Sequence, residues 1–342
     1  MIKKFIKTIA FFLTGIFIFS GINSILGPNA EDAEMMFEGY YNLKPNTVDA
    51  VFVGNSHTYK YWQPAFAWKE LGMASMEIST SIMPSYVMKN VAIEALKTQK
   101  PKVLVIDATA FAQTNKEDKK FYLVLDNMKF SLNRIDMIEN YCRYSEITGM
   151  DKLQYYFPIM QFHSRWKELS EDDFVQTRPS YLNSTYQKGF LSHGLDKDKK
   201  HPYSDERTDI GSGNEAALRD LLEWCTQQQD IKIQFIAPPV LWKKNLSGYN
   251  RVGDIIKEYG MDFLNFNDIE LYEKFNFEEN NDFENINHTN INGSFKFTKV
   301  YGQYLMETFD LENHQGKDIY QTWDQQAEDY YALIRSYNYF KY

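Results

Sequence analysis

Short apolar runs alternating with helical stretches restrict the fold of this 342-residue chain more than any other feature. Val51, Phe52 and Val53 form the first run, of the kind a buried parallel strand makes, and others fall at residues 75–80, 103–107, 231–237 and 262–266. Between them, residues 62–71, 86–98, 214–228, 249–259 and 293–309 read as helices. Strands that alternate with helices imply an α/β fold: a central parallel sheet covered on both faces, a three-layer α/β/α sandwich. The alternation lapses over residues 111–210, which are rich in charge and in aromatics such as Tyr155, Tyr156, Phe157, Phe162, Trp166, Tyr181, Tyr186 and Phe190. Helical stretches are expected there at 131–144 and 154–169. An insertion after the carboxyl end of a strand overhangs the ligand-binding edge, so this one is expected to shape substrate access. A satellite core accounts equally well for most of its aromatics. Trp323, Tyr330, Tyr331, Leu333 and Ile334 recur at helical spacing and place a packed helix in a carboxyl-terminal extension over 312–342.

The amino terminus limits where such a domain works. Lys3, Lys4 and Lys7 precede an apolar run over residues 9–26, and about 20 mostly apolar residues suffice to cross a bilayer. Lysines ahead of the run set the amino terminus in the cytoplasm and the body outside, at the cell membrane. With no small-x-small cleavage site after the run, residues 1–29 are expected to be an uncleaved anchor rather than a signal peptide. Residues 30–47, polar and acidic with a Tyr40-Tyr41 pair, are expected to be a linker to a domain spanning 48–311. The formal charge of −9 grows once the basic anchor is set aside, which argues against nucleic acid or anionic lipid held through charge. Cys142 and Cys225 are expected to be buried thiols, not a disulfide scaffold. The six histidines are scattered, so no metal and no cofactor is expected.

The first strand runs into Gly54-Asn55-Ser56-His57, which delivers a serine to the sheet edge where ligands bind. His288 lies far downstream, just before a helix. A serine early and a histidine late suggest a nucleophile and its base. The alternative for Ser56 is a helix N-cap, and a local structural role is expected for His57.

These residues carry a resemblance. Gly54-Asn55-Ser56-His57 after a strand, Gln99-Lys100-Pro101-Lys102-Val103-Leu104-Val105-Ile106-Asp107 as the third strand, and His288-Thr289-Asn290-Ile291-Asn292-Gly293 before the last core helix resemble the SGNH (GDSL-like) hydrolases. The likeness is greatest to their membrane-anchored, DltD-like bacterial branch. It implies a flavodoxin-like sheet, Ser56 as nucleophile and His288 as base. It also implies an esterase or O-acyltransferase acting on an envelope polysaccharide or teichoic-type polymer, with a membrane-bound O-acyltransferase as a partner. The family's aspartate, three residues before the histidine, is Asn285 in this chain; Asp282 and Glu284 are near enough in sequence to take its place if the loop is rearranged. The family's glycine after strand two and asparagine after strand three are also absent, replaced by Ser79-Thr80-Ser81-Ile82-Met83 and Asp107-Ala108-Thr109. Backbone N–H groups at Ser56 and near Ser81 remain as oxyanion donors. Two readings therefore stand open. One is a working enzyme, with a replaced acid, a relocated acid or a bare Ser-His dyad. The other is a catalytically weakened SGNH-fold protein that binds an envelope polymer or a membrane acyltransferase.

Overall fold

A computed structural model describes residues 2–26, 31–113, 118–157, 159–174, 194–195, 200–337 and 340–342. Helix α1 (Ile2–Leu26) contains the apolar run. Its segment Lys3–Ile22 has a mean hydropathy of 2.0, and among the described residues it is the one helix long and apolar enough to cross a membrane. After it comes α2 (Glu31–Tyr41), where a polar linker was expected. Ala33, Met36, Phe37 and Tyr40 fall at i, i+3, i+4 and i+7, and all four are buried. The Tyr40 hydroxyl donates to the Glu94 carbonyl at 2.7 Å. The acidic average of this stretch concealed an apolar stripe, and the stripe docks α2 beside the sheet.

The apolar runs become β1 (Ala50–Gly54), β2 (Ser75–Ser79), β3 (Val103–Asp107), β4 (Lys232–Ala237) and β5 (Phe263–Asn265). They form one five-stranded sheet, parallel throughout, in the order β2-β1-β3-β4-β5. Alternation along the strands divides their side chains between two cores. Val51, Val53, Met76, Ile78, Leu104 and Ile106 enter the larger one. Ala50, Phe52, Val103, Val105 and Ile236 enter the other. Helices α3 (Ser56–Tyr61), α4 (Pro64–Leu71) and α10 (Ile291–Thr308) cover the second face; α2, α5 (Met88–Ala95), α8 (Ser212–Thr226) and α9 (Lys243–Glu258) cover the first. Strand order reverses at β1 and β3, and the crevice outside their carboxyl ends is where open parallel sheets take ligands.

A single helix was expected over 62–71. It is found as α4, which starts two residues later because Pro64 takes its first position and leaves Gln63 extended (φ −124°, ψ 105°); α3 ahead of it was not anticipated. The insertion holds α6 (Asp118–Leu125), which was not anticipated, and α7 (Leu132–Tyr144) close to where it was expected. The helix expected over 154–169 is broken into turns at Leu153–Tyr156, Ile159–Phe162 and His163–Lys167. Tyr181, Tyr186 and Phe190 lie outside the described residues. Helix α11 (Gln321–Arg335) packs its buried Trp323 and Tyr330 against Trp68 and Phe66 of α4. Cys142 and Cys225 are both buried and free.

Gly54 ends β1 in a space with no room for a side chain: an added Cβ would collide with Thr58 Oγ1 and lie 2.6 Å from Asp107 Cβ. Gly54→Ala is expected to lower unfolding free energy by about 1–3 kcal/mol through overpacking. Denaturant titration of the variant beside wild type measures this.

Candidate active site

Where β1 meets α3, the Asn55 carboxamide oxygen accepts from His57 N–H at 2.9 Å, so Asn55 is the helix cap and Ser56 the first helical residue. The capping alternative for Ser56 therefore falls to its neighbour. Ser56 Oγ lies 2.8 Å from His288 Nε2, a contact between residues 232 apart in the chain.

Behind Ser56 a buried polar cluster ties this turn to the one after β3. Thr109 Oγ1 donates to Asp107 Oδ1 at 2.6 Å, and Asn55 Nδ2 donates to Thr109 Oγ1 at 3.2 Å. Thr109 has a single proton, and it is committed to Asp107, so the 2.9 Å contact with His57 Nδ1 requires the imidazole to donate. That sets the His57 tautomer. Burial holds the His57 pKa down to about 4 and pushes the Asp107 carboxyl up to about 6. The His57 and His288 rings stand 5.3 Å apart between centroids.

His288 is carried on a hairpin. Phe283 and Thr289 form an antiparallel bridge, Glu284 N–H donates to the His288 carbonyl at 3.0 Å, and Asn290 N–H donates to Asp282 O at 2.9 Å. Glu284 consequently stands across from His288, with Oε1 3.9 Å from Nδ1. That separation is too long for a hydrogen bond. The other carboxylate oxygen accepts from Lys60 Nζ at 2.9 Å, and Oε1 accepts from Asn285 Nδ2 at 3.1 Å. Asn285 turns its own oxygen to the backbone N–H groups of Asn287 (2.9 Å) and His288 (3.1 Å), forming the loop without engaging the ring. Asp282 is fully buried and accepts from Glu278 N–H and Lys296 Nζ, both at 2.7 Å. Thus the structure brings Ser56, His288 and Glu284 together, while the side chains of Asn285 and Asp282 are spent on the loop and on α10. Burial, then the nearby His57 and Lys60, hold the His288 pKa down to about 2.

The rest of H-x-N-x-x-G is used in placing the hairpin. Asn290 caps α10 through Asn292 N–H at 3.0 Å and donates to Asn281 O at 2.6 Å. Thr289 Oγ1 donates to the Lys60 carbonyl at 2.6 Å. At Gly293 an added Cβ would strike the Asp282 carbonyl and lie 2.7 Å from Thr289 Cγ2, so only glycine permits this close approach.

Register sets Ser79 beside Gly54, and the hydroxyls of Ser79 and Thr80 are buried with no hydrogen-bond partner among the described residues. Past them opens a cleft of about 370 Å³, lined by Tyr86, Tyr141, Arg143, Tyr144 and Ala110 among others. Neither Ser56 nor His288 lines it. The connection runs through Ala110, whose neighbour Thr109 contacts Asn55 and His57. Sequence reasoning missed Lys60 and Thr109. Lys60 carried a signal, standing one helical turn after Ser56; Thr109 carried none beyond its place at the end of a strand.

No protein-family model matches the chain, and no curated protein matches it. Among solved structures, one titled "BT4096 a gut microbial diltiazem-metabolizing enzyme" aligns at 13% identity and a TM-score of 0.27, over 76% of this chain and 47% of that one. The chain therefore spans about half the length of that protein. A likeness this distant carries no argument about activity.

His57 stays neutral in the folded protein to about pH 4, whereas an unfolded imidazole takes a proton near about pH 6.5. The unfolded state binds more protons across that interval, so this residue makes stability fall as pH drops through it. The stability difference between wild type and His57→Gln should shrink as pH is lowered from about 7 to about 4. Denaturant unfolding of both across that range reads it, and a difference independent of pH would rule out a buried neutral His57.

Proposed function

We propose that this chain is a membrane-anchored serine esterase or O-acyltransferase of the SGNH type, held by α1 with its body outside the cell membrane. The observation that carries the reading is the 2.8 Å contact from Ser56 Oγ to His288 Nε2 at the carboxyl edge of a parallel sheet. In the reaction, Ser56 Oγ attacks the ester carbonyl carbon as its proton passes to His288 Nε2. The tetrahedral oxyanion is met by backbone N–H groups at Ser56 and near Ser81, just past the end of β2. Collapse breaks the bond to the leaving alkoxide, which takes the proton back from Nε2 and leaves acyl-Ser56. Water or an acceptor hydroxyl then repeats the sequence in reverse. Glu284 orients the imidazole, closing from its resting 3.9 Å when substrate excludes water. The adjoining cleft receives the acceptor. From the motif resemblance alone, we assign that acceptor to an envelope polysaccharide or teichoic-type polymer, with a membrane-bound O-acyltransferase as partner.

A second reading, a weakened SGNH-fold protein that binds its polymer without turnover, is favoured by one observation. Lys60 engages the Glu284 carboxylate at 2.9 Å, while Nδ1 stands beyond hydrogen-bond distance of it.

A fluorophosphonate separates the two. On the enzyme reading it labels Ser56, and the label is lost in Ser56→Ala and His288→Ala at unchanged melting temperature. Wild type that stays unlabelled supports the second reading. Glu284→Gln should lower turnover on an activated ester by about two to four orders of magnitude, as removal of an orienting acid does elsewhere. Asn285→Asp, which sets a like charge against Glu284, should lower it as well. Because burial holds His288 neutral, the acid limb of kcat/KM should lie well below the about pH 6.5 of a free imidazole. Arg143→Ala in the cleft should raise KM and leave kcat nearly unchanged.

A further inference from the structure

The outer end of α1 does not stand clear of the body. Phe19, inside the apolar segment Lys3–Ile22, meets Phe157 of the insertion edge to face at 5.9 Å between ring centroids. Arg165 Nη1 donates to the Ile25 carbonyl at 2.9 Å, and the turns Ile159–Phe162 and His163–Lys167 lie against the same helix. At about 1.5 Å per residue, Phe19 sits about 5 Å inside the outer limit of that segment. A ring touching Phe19 therefore lies at the boundary between acyl chains and headgroups whenever α1 spans a bilayer. Beside this contact the insertion exposes large apolar side chains: Phe157 is 42% exposed, Met160 46% and Trp166 64%. Lys167 Nζ stands 5.7 Å from the centre of the Trp166 ring. Aromatic rings with an adjacent lysine are what a membrane interface collects: the ring rests at headgroup depth and the ammonium reaches outward to water.

We propose that Phe157, Met160 and Trp166 form a second membrane contact that lies in the outer-leaflet interface beside α1, with lipid as its occupant. The inference rests on the reading of α1 as an anchor with the body outside. Apolar rings carry the contact, in keeping with an acidic chain of net charge −9 that gains nothing from anionic lipid. The same insertion supplies Tyr141 and Tyr144 to the cleft, so a seated insertion sets the height of the cleft above the membrane.

The test uses the full-length chain in phosphatidylcholine vesicles whose acyl chains carry bromine either near the headgroup or near the methyl end. Bromine near the headgroup should quench a component of tryptophan emission that is missing from Trp166→Phe, and deep bromine should quench it less. Met160→Asp, a change at an exposed site, should reduce that component while Trp166 remains. Equal quenching of wild type and Trp166→Phe overturns the inference. The intact mass of the protein recovered from cell membranes tests the anchor by itself. Loss of α1 there overturns the anchor reading and leaves the vesicle result to decide the lipid contact.

Discussion

The cluster of Asn55, His57, Asp107 and Thr109 is the constraint on which the site depends. These four side chains lie at the carboxyl ends of β1 and β3, are buried, and are joined through a single threonine hydroxyl. Buried polar groups in a region of low dielectric are costly unless paired, so the bonds have one mutually consistent arrangement and little freedom to leave it. That arrangement welds the turn bearing Ser56 to the turn after β3. Thr58 adds a longer contact of 3.4 Å to the other Asp107 oxygen. Gly54 is required because Thr58 and Asp107 already occupy the space a side chain would need.

Opposite this rigid turn, the hairpin bearing His288 is fastened at several independent points. Leu241 N–H donates to the Ile286 carbonyl at 2.7 Å, the Tyr61 hydroxyl donates to the Pro239 carbonyl and lies 3.3 Å from that of Asn287, and Thr289 reaches the backbone of Lys60. Lys60 thus meets the hairpin twice, through its carbonyl and through its ammonium on Glu284. The pairing has an electrostatic cost for the imidazole: the ammonium that fastens Glu284 also disfavours a proton on His288. Placement and basicity are in tension here, and this tension separates a working triad from a binding site that has kept its shape.

The insertion extends from this edge toward α1. Tyr141 and Tyr144 at the end of α7 face the cleft, and the turns that follow it rest on the carboxyl-terminal end of α1. Helix α2 is docked into the larger core as well, through Met36, Phe37 and Tyr40.

Local periodicity was enough to read the strands and helices that build a parallel sheet, and the apolar helix, because each depends on neighbours in sequence. The residues that meet at 2.8 Å, Ser56 and His288, were also legible, since a strand end and a helix start announced their positions. Amphipathicity in α2 was readable in principle but was hidden by the average polarity of its stretch. Only the tertiary structure decided which carboxylate faces the imidazole. Spacing left Asn285, Asp282 and Glu284 all open, and the hairpin decides among them by setting residue i−4, Glu284, across from His288. The tie of Lys60 to that glutamate and of Thr109 to His57 was likewise out of reach. Both join side chains many residues apart, and their directions are fixed by packing, which no local pattern encodes.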